Sequence, residues 1–216
     1  MSYINKETTT SYNMDKTIRS ERKAEEVIWV FPYALEKWEK RINLKKMEYI
    51  LVQASERAIV YENEVVIQEL SNGLYSLKRK EKAENLKIVF MTAAIFDIKW
   101  GFPQQQGVLT TDNIMIGASG SISLKISNPE VVCTNVLKQE NVIITGKIRA
   151  HVNKLVKDAM KETVAQYKID EIQKISKDEL LMNIEPALVD SLMKLGFNSQ
   201  DFSITGLGIP PEFRIY

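Results

Sequence analysis

Between Ile114 and Ile126 the chain alternates. Ile114, Ile116, Ala118, Gly120, Ile122, Leu124 and Ile126 share one parity, and Met115, Gly117, Ser119, Ser121, Ser123 and Lys125 share the other. Period two marks a strand with one apolar and one polar face. The run therefore predicts one long strand, ended by Asn128-Pro129. Upstream, "EEVIWVFP" predicts a short strand stopped by Pro32. "EYILVQASERAIVYENEVVIQELSNGLYSLK" predicts three short strands, with turns at Ala54-Ser55, Glu62-Asn63 and Asn72-Gly73. "LKIVFMTAAIFDIKW" is β-rich, whereas "ALEKWEKRINLKKM" is short, basic and without a clear period.

The second half changes period. Ile148, Val152, Leu155 and Ala159 recur at spacings of four, three and four, and Val156 and Met160 widen that face. This is the pattern of an amphipathic helix. "SKDE" at 176–179 is a capping box, Ser176 taking a backbone N–H while Glu179 reaches back. The helix behind it presents Leu181, Ile184, Leu188, Leu192 and Leu195, and Gly196 sits where a left-handed cap is needed. Pro186 falls inside this run, where it either kinks the helix or starts a second one. "DFSITGLGIP" predicts a last strand. Residues 1–24 are polar and aperiodic and read as a mobile tail, leaving 25–216 as a single domain. Strands, then two helices, then one strand suggest an α+β class rather than βαβ winding.

Composition narrows the function classes. Of 216 residues, 44% are apolar, enough for a real core. Lys and Arg number 29 against 28 Asp and Glu, which argues against a general nucleic-acid coat. The single cysteine, Cys133, allows neither an intramolecular disulfide nor a Cys-based zinc site and suits a reducing cytosol. No stretch reaches the ~18 apolar residues of a bilayer span, and the N-terminus lacks the apolar core of a secretory signal.

Catalytic motifs are tested and set aside. "GASGS" resembles a nucleophile elbow, but Ser121 stands where glycine is needed and the serine lies mid-strand. His151 falls beside the apolar stripe of the first helix, the place of a boundary residue rather than a ligand. Cys133, in "VVCTNV", reads as a small buried hydrophobe. "GLG" at 206–208 lies on a strand, not before a helix, so it is no phosphate cradle. No cofactor is expected. One surface stands out: "IWVFPYALEKWEKRI" sets Trp29, Phe31, Tyr33 and Trp38 beside Lys37, Lys40 and Arg41. Aromatic next to basic side chains suit a lipid headgroup interface or a protein partner, the plainer alternative being a covered strand and a solvated basic turn. "KRKEK" at 78–82 adds charge diluted by Glu81, each cation near a lipid surface being worth ~1 kcal/mol.

Taken in order, these pieces resemble the SPFH (band 7, stomatin/prohibitin/flotillin) superfamily, most closely its prokaryotic virion-core-protein-like branch. "LVQASERAIVYENEVVIQELSNGLYSL" is similar to the opening hairpin, with Gly73 as the turn glycine. "KWGFPQQQGVLTTDNIMIGASGSISLKISNPE" is similar to the branch's Trp-Gly element, threonine-aspartate turn and long strand, with Thr111, Asp112 and Pro129 on matching positions. "IRAHVNKLVKDAMKETVAQYKIDEIQKISKDELLMNIEPALVDSLMKLGFNSQDFSITGLGIP" is similar to the two-helix segment and closing strand.

The resemblance implies an α+β SPFH-like domain, a curved, mostly antiparallel β-sheet packed against two main helices. It implies that the long strand is framework, with the Asp112 carboxylate accepting backbone N–H groups in a turn. It further implies a non-enzymatic scaffold that self-associates and organises protein partners, cytoplasmic and peripheral to the membrane, in membrane maintenance or stress. No nucleic acid is expected. Trp29, Phe31, Lys37, Trp38, Lys40 and Arg41 are the expected contact surface, with Trp100 serving either contact or core. A soluble adaptor without lipid contact is the alternative, and an unrecognised enzyme would draw first on His151, Asp97 and Asp112. Family members usually continue into a long coiled-coil helix, and many virion-core-like relatives carry a zinc ribbon that one cysteine cannot build.

Overall fold

The computed structural model describes residues 4–8, 12–32, 46–77, 86–138 and 140–214. The chain divides into two compact units, residues 1–94 with 133–144, and residues 95–132 with 145–216. The expected single curved sheet is not formed. Three separate open sheets replace it, and in none does the first strand pair with the last. The α+β class and the two larger helices stand; the curvature does not. Strand pairing explains the difference, because the long central strand spends both of its edges on neighbours within its own unit.

In the first unit the elements are β1 (Ile4–Lys6), β2 (Thr17–Arg19), β3 (Glu26–Phe31), β4 (Tyr49–Val52), β5 (Glu56–Glu62), β6 (Val65–Leu70), β7 (Gly73–Leu77), β8 (Leu86–Thr92) and, later, β12 (Val142–Ile144). They form a five-stranded antiparallel sheet, β12-β3-β8-β5-β6, and a four-stranded sheet, β1-β7-β4-β2, whose β2–β4 pair is parallel. Alternate residues of both sheets build one core. Trp29, Phe31, Ala58, Val60, Ile88 and Phe90 come from the first, and Ile4, Ile18, Ile50, Val52, Tyr75 and Leu77 from the second. Two strands thus lie in what the polar pattern marks as tail, anchored by the buried Ile4 and Ile18. A buried ion pair fastens the same segment: Arg22 Nε donates to Glu56 Oε1 at 3.3 Å, while Gln53 N–H donates to Glu56 Oε2 at 3.3 Å.

The second unit is organised by β11 (Met115–Ile126). Its residues 117–126 run antiparallel to β13 (Phe197–Gly208) on one edge. On the other edge β9 (Phe96–Phe102) and the two-residue β10 (Val108–Leu109) pair with it. Ile116, Ala118, Ile122, Leu124 and Ile126 are buried, as period two requires. α2 (Thr145–Val164) packs on β9 and β10, and α4 (Lys177–Met193) packs on β13 and on α2. The short helices α1 (Pro129–Val132) and α3 (Ile169–Ile172) flank them. The buried stripe of α4 is Leu180, Ile184, Leu188 and Leu192, so it starts at Leu180 rather than Leu181. Pro186 lies on the exposed side of an unbroken helix.

Candidate functional site

Thr111, Asp112 and Pro129 lie at the two ends of β11, all within the second unit. Before the strand, Thr110 Oγ1 donates to Asp112 Oδ1 at 2.6 Å, and Ile114 N–H returns a bond to Thr110 Oγ1 at 3.0 Å. Asn113 closes the turn with a positive φ of 60°. The turn is pinned to the segment after α2. Thr111 N–H donates to the Tyr167 carbonyl at 2.9 Å, Thr111 Oγ1 to the Ala165 carbonyl at 2.9 Å, and Ile169 N–H to the Asp112 carboxylate at 3.2 and 3.3 Å. The Thr110 hydroxyl, then the backbone N–H groups of Asp112 itself and of Ile169 and the Lys168 charge, hold the exposed Asp112 carboxyl below the usual aspartate range.

After the strand a second staple repeats the logic. Ser127 and Asn128 both donate their N–H to the Gly196 carbonyl, at 2.9 and 3.1 Å, and Asn128 Oδ1 caps Val131 N–H at 3.2 Å, in the helix that Pro129 opens. Gly196 has φ +86°, and a Cβ there would stand 2.6 Å from the Asn128 carbonyl oxygen, so glycine is needed twice over. Between the staples, Trp100 lies across Gly120, its cross-strand partner, and stacks on Phe202 at 5.6 Å. A Cβ on Gly120 would approach Trp100 Cζ2 to 2.5 Å and collide with the Ser203 carbonyl oxygen. Trp100 is therefore core, and the glycine opposite it is the slot for its ring.

The polar face of β11 is a ladder. Ser121 and Ser203 hydroxyls are 2.8 Å apart, and Ser123 Oγ donates to Asp97 Oδ1 at 2.6 Å. His151 is exposed on α2. Asp97, Asp112 and His151 thus sit on three elements, the two carboxylates already engaged with Ser123 and with Thr110 and Ile169. Cys133 is half-buried in the first unit. Of the contact residues named from sequence, Trp29 and Phe31 lie on β3 between β12 and β8, 4% and 3% exposed, with Trp29 against Phe90 at 6.0 Å. They are core of the first unit. Lys37, Trp38, Lys40 and Arg41, like Tyr33 and the 78–82 run, lie outside the described residues. Gly73 opens β7 with φ +144°.

Two hollows remain. One, of about 360 Å³, is lined in the first unit by Glu64, Lys87, Lys138 and Glu140, with Lys87 Nζ 2.5 Å from Glu64 Oε2. The other, of about 260 Å³, lies in the second unit over Gly117, Ser119, Gly206 and Gly208. Neither lining joins a nucleophile to a base. Among the described residues no cluster of three or more His, Cys, Asp or Glu could hold a metal, and no helix is long and apolar enough to cross a membrane.

These residues define a module whose characteristic positions are turns, caps and packing slots. The SPFH domain / Band 7 family profile matches residues 50–215, and the chain belongs to that family. No curated protein sequence matches it. Membership makes it a non-enzymatic scaffold of a kind that self-associates and binds partner proteins.

Proposed function

We propose that the protein is a self-associating scaffold that gathers partner proteins at a membrane surface, closest to the virion-core-protein-like branch. The single observation behind this reading is the family match, which runs through both compact units. The reading accordingly treats residues 25–216 as one functional module. The Trp-Gly pair at 100–101 and the Thr-Asp turn at 111–112 support the branch. The basic-aromatic stretch with Lys37, Trp38, Lys40 and Arg41 supports the membrane. Flotation with vesicles containing anionic lipid tests it: binding at low salt that falls at high salt is the expected result. No flotation at low salt overturns the membrane part.

A soluble adaptor is favoured by one observation. Trp29 and Phe31 are buried, which removes two of the aromatic side chains from the surface on which a headgroup contact would depend. Under that reading the chain stays with the soluble fraction while partner capture persists.

A further inference from the structure

We propose that a second copy of this chain docks on the second unit through two oppositely charged helix faces, a methionine seam on α4 and a lysine ridge on α2. The inference rests on the self-association reading and deepens it by naming the surface.

Opposite the buried stripe of α4, Met182, Pro186, Val189 and Met193 recur at spacings of four, three and four. That is the spacing of a helix–helix seam. It faces solvent here, Met182 being 74% and Met193 61% exposed. Methionine packs adaptably against a partner helix. Exposed carboxylates flank the seam: Asp178, Glu179, Glu185 and Asp190. Asp190 is tied to Lys194 at 2.5 Å, and the other three make no ion pair among the described residues.

α2 presents the complement. Its buried side holds Ile148, Val152, Val156, Ala159 and Met160. Lys154, Lys157 and Lys161 project from the opposite side with Ala150, within about 60° of arc at 100° per residue. Asp158 and Glu162 lie on the flank of this ridge. None of the three lysines makes an ion pair with a described residue. Lysine stems can lie along methionine side chains while their ammonium groups reach the flanking carboxylates. Within one copy the helices touch, yet no ion pair joins them among the described residues, so both signs are left for an outside partner.

Charge complementarity selects the occupant. An anionic lipid surface would suit the lysines and repel the carboxylates of α4. A second copy satisfies both at once, and a net charge of +1 imposes little repulsion between copies.

The test measures the solution mass of the full chain across concentration, at about 0.05 M and about 1 M salt. K154E/K157E/K161E makes both faces acidic, and D178K/E185K/D190K makes both basic. Each should weaken self-association by about tenfold or more while keeping the wild-type circular dichroism. An equimolar mixture of the two should associate as the wild type does, since each then offers the sign the other lacks. M182E/M193E should weaken association in the wild-type background and in the mixture alike. If the wild type associates and both charge variants associate equally well, this surface is wrong and self-association stands. If the wild type is monomeric throughout, the self-association reading falls with it. If that monomer binds a lysine-rich amphipathic peptide, and D178K/E185K/D190K abolishes the binding, the seam serves a foreign helix and the proposal is overturned.

Discussion

At the scale of single residues, the polar positions that look chemical are occupied with geometry. Asp112 shows this best. Its carboxylate is stabilised in the charged form by a hydroxyl and a backbone N–H, so its folded pKa lies below its unfolded one. A depressed carboxylate contributes stability above the unfolded pKa and loses it as pH falls through the folded one. Asp112→Asn should therefore lower the melting temperature at pH 7, with a gap to wild type that narrows below about pH 4. Thermal melts across pH check this; a gap independent of pH would mean that the charge contributes nothing. Gly120 makes the companion case. Gly120→Ala forces its methyl against the Trp100 ring and the Ser203 carbonyl, and should cost about 1–3 kcal/mol in urea unfolding. Trp100→Phe should cost less than its lost volume suggests, because the buried indole N–H has no partner among the described residues.

At the scale of elements, legibility followed the size of the buried stripe. β11 and α2 repeat their pattern over many residues, so period alone placed them. β1 and β2 escaped, because strands of three residues set one or two buried side chains, Ile4, Thr17 and Ile18, inside polar sequence. The run read as three strands is four, β4 to β7, and its hairpin turn sits at Asn63 and Glu64, both with positive φ, one residue beyond the expected place. Glutamate is a poor advertisement for that conformation. The staples were legible only in part. Thr111, Asp112 and Pro129 were named from sequence, and Gly196 as a left-handed cap, but not the staples that tie the first turn to Tyr167 and Ile169 and the second to Gly196, because hydrogen bonds between distant segments leave no local period. α4 offers two tests. Ser176 Oγ accepts from Glu179 N–H at 3.1 Å, and Ser176→Ala should cost about 1 kcal/mol. Pro186 removes a helix N–H at an exposed position; Pro186→Ala should stabilise the fold, up to about 3 kcal/mol, because the backbone there is already helical.

At the scale of the whole molecule, connectivity raises a question that packing within either unit does not answer. The chain leaves the first unit at 94, re-enters it at 133 and leaves again at 144, so neither unit is a continuous stretch. If one unit unfolds, the other must hold a loop closed, 133–144 in one case and 95–132 in the other. Loop closure grows only logarithmically with length and costs on the order of 2–3 kcal/mol for either span. That is less than the 5–15 kcal/mol typical of a folded domain, so connectivity alone does not oblige the units to melt together. The tryptophans allow the comparison, since Trp29 reports the first unit and Trp100 the second. Glu56→Ala removes the carboxylate that pairs with Arg22 in a site where Glu56 is 3% exposed, and should cost the first unit about 3 kcal/mol. In single-tryptophan backgrounds, the urea midpoint reported by Trp29 should fall by more than that reported by Trp100. Equal shifts would show that the units are coupled by more than the chain that joins them, and that the scaffold unfolds as one body.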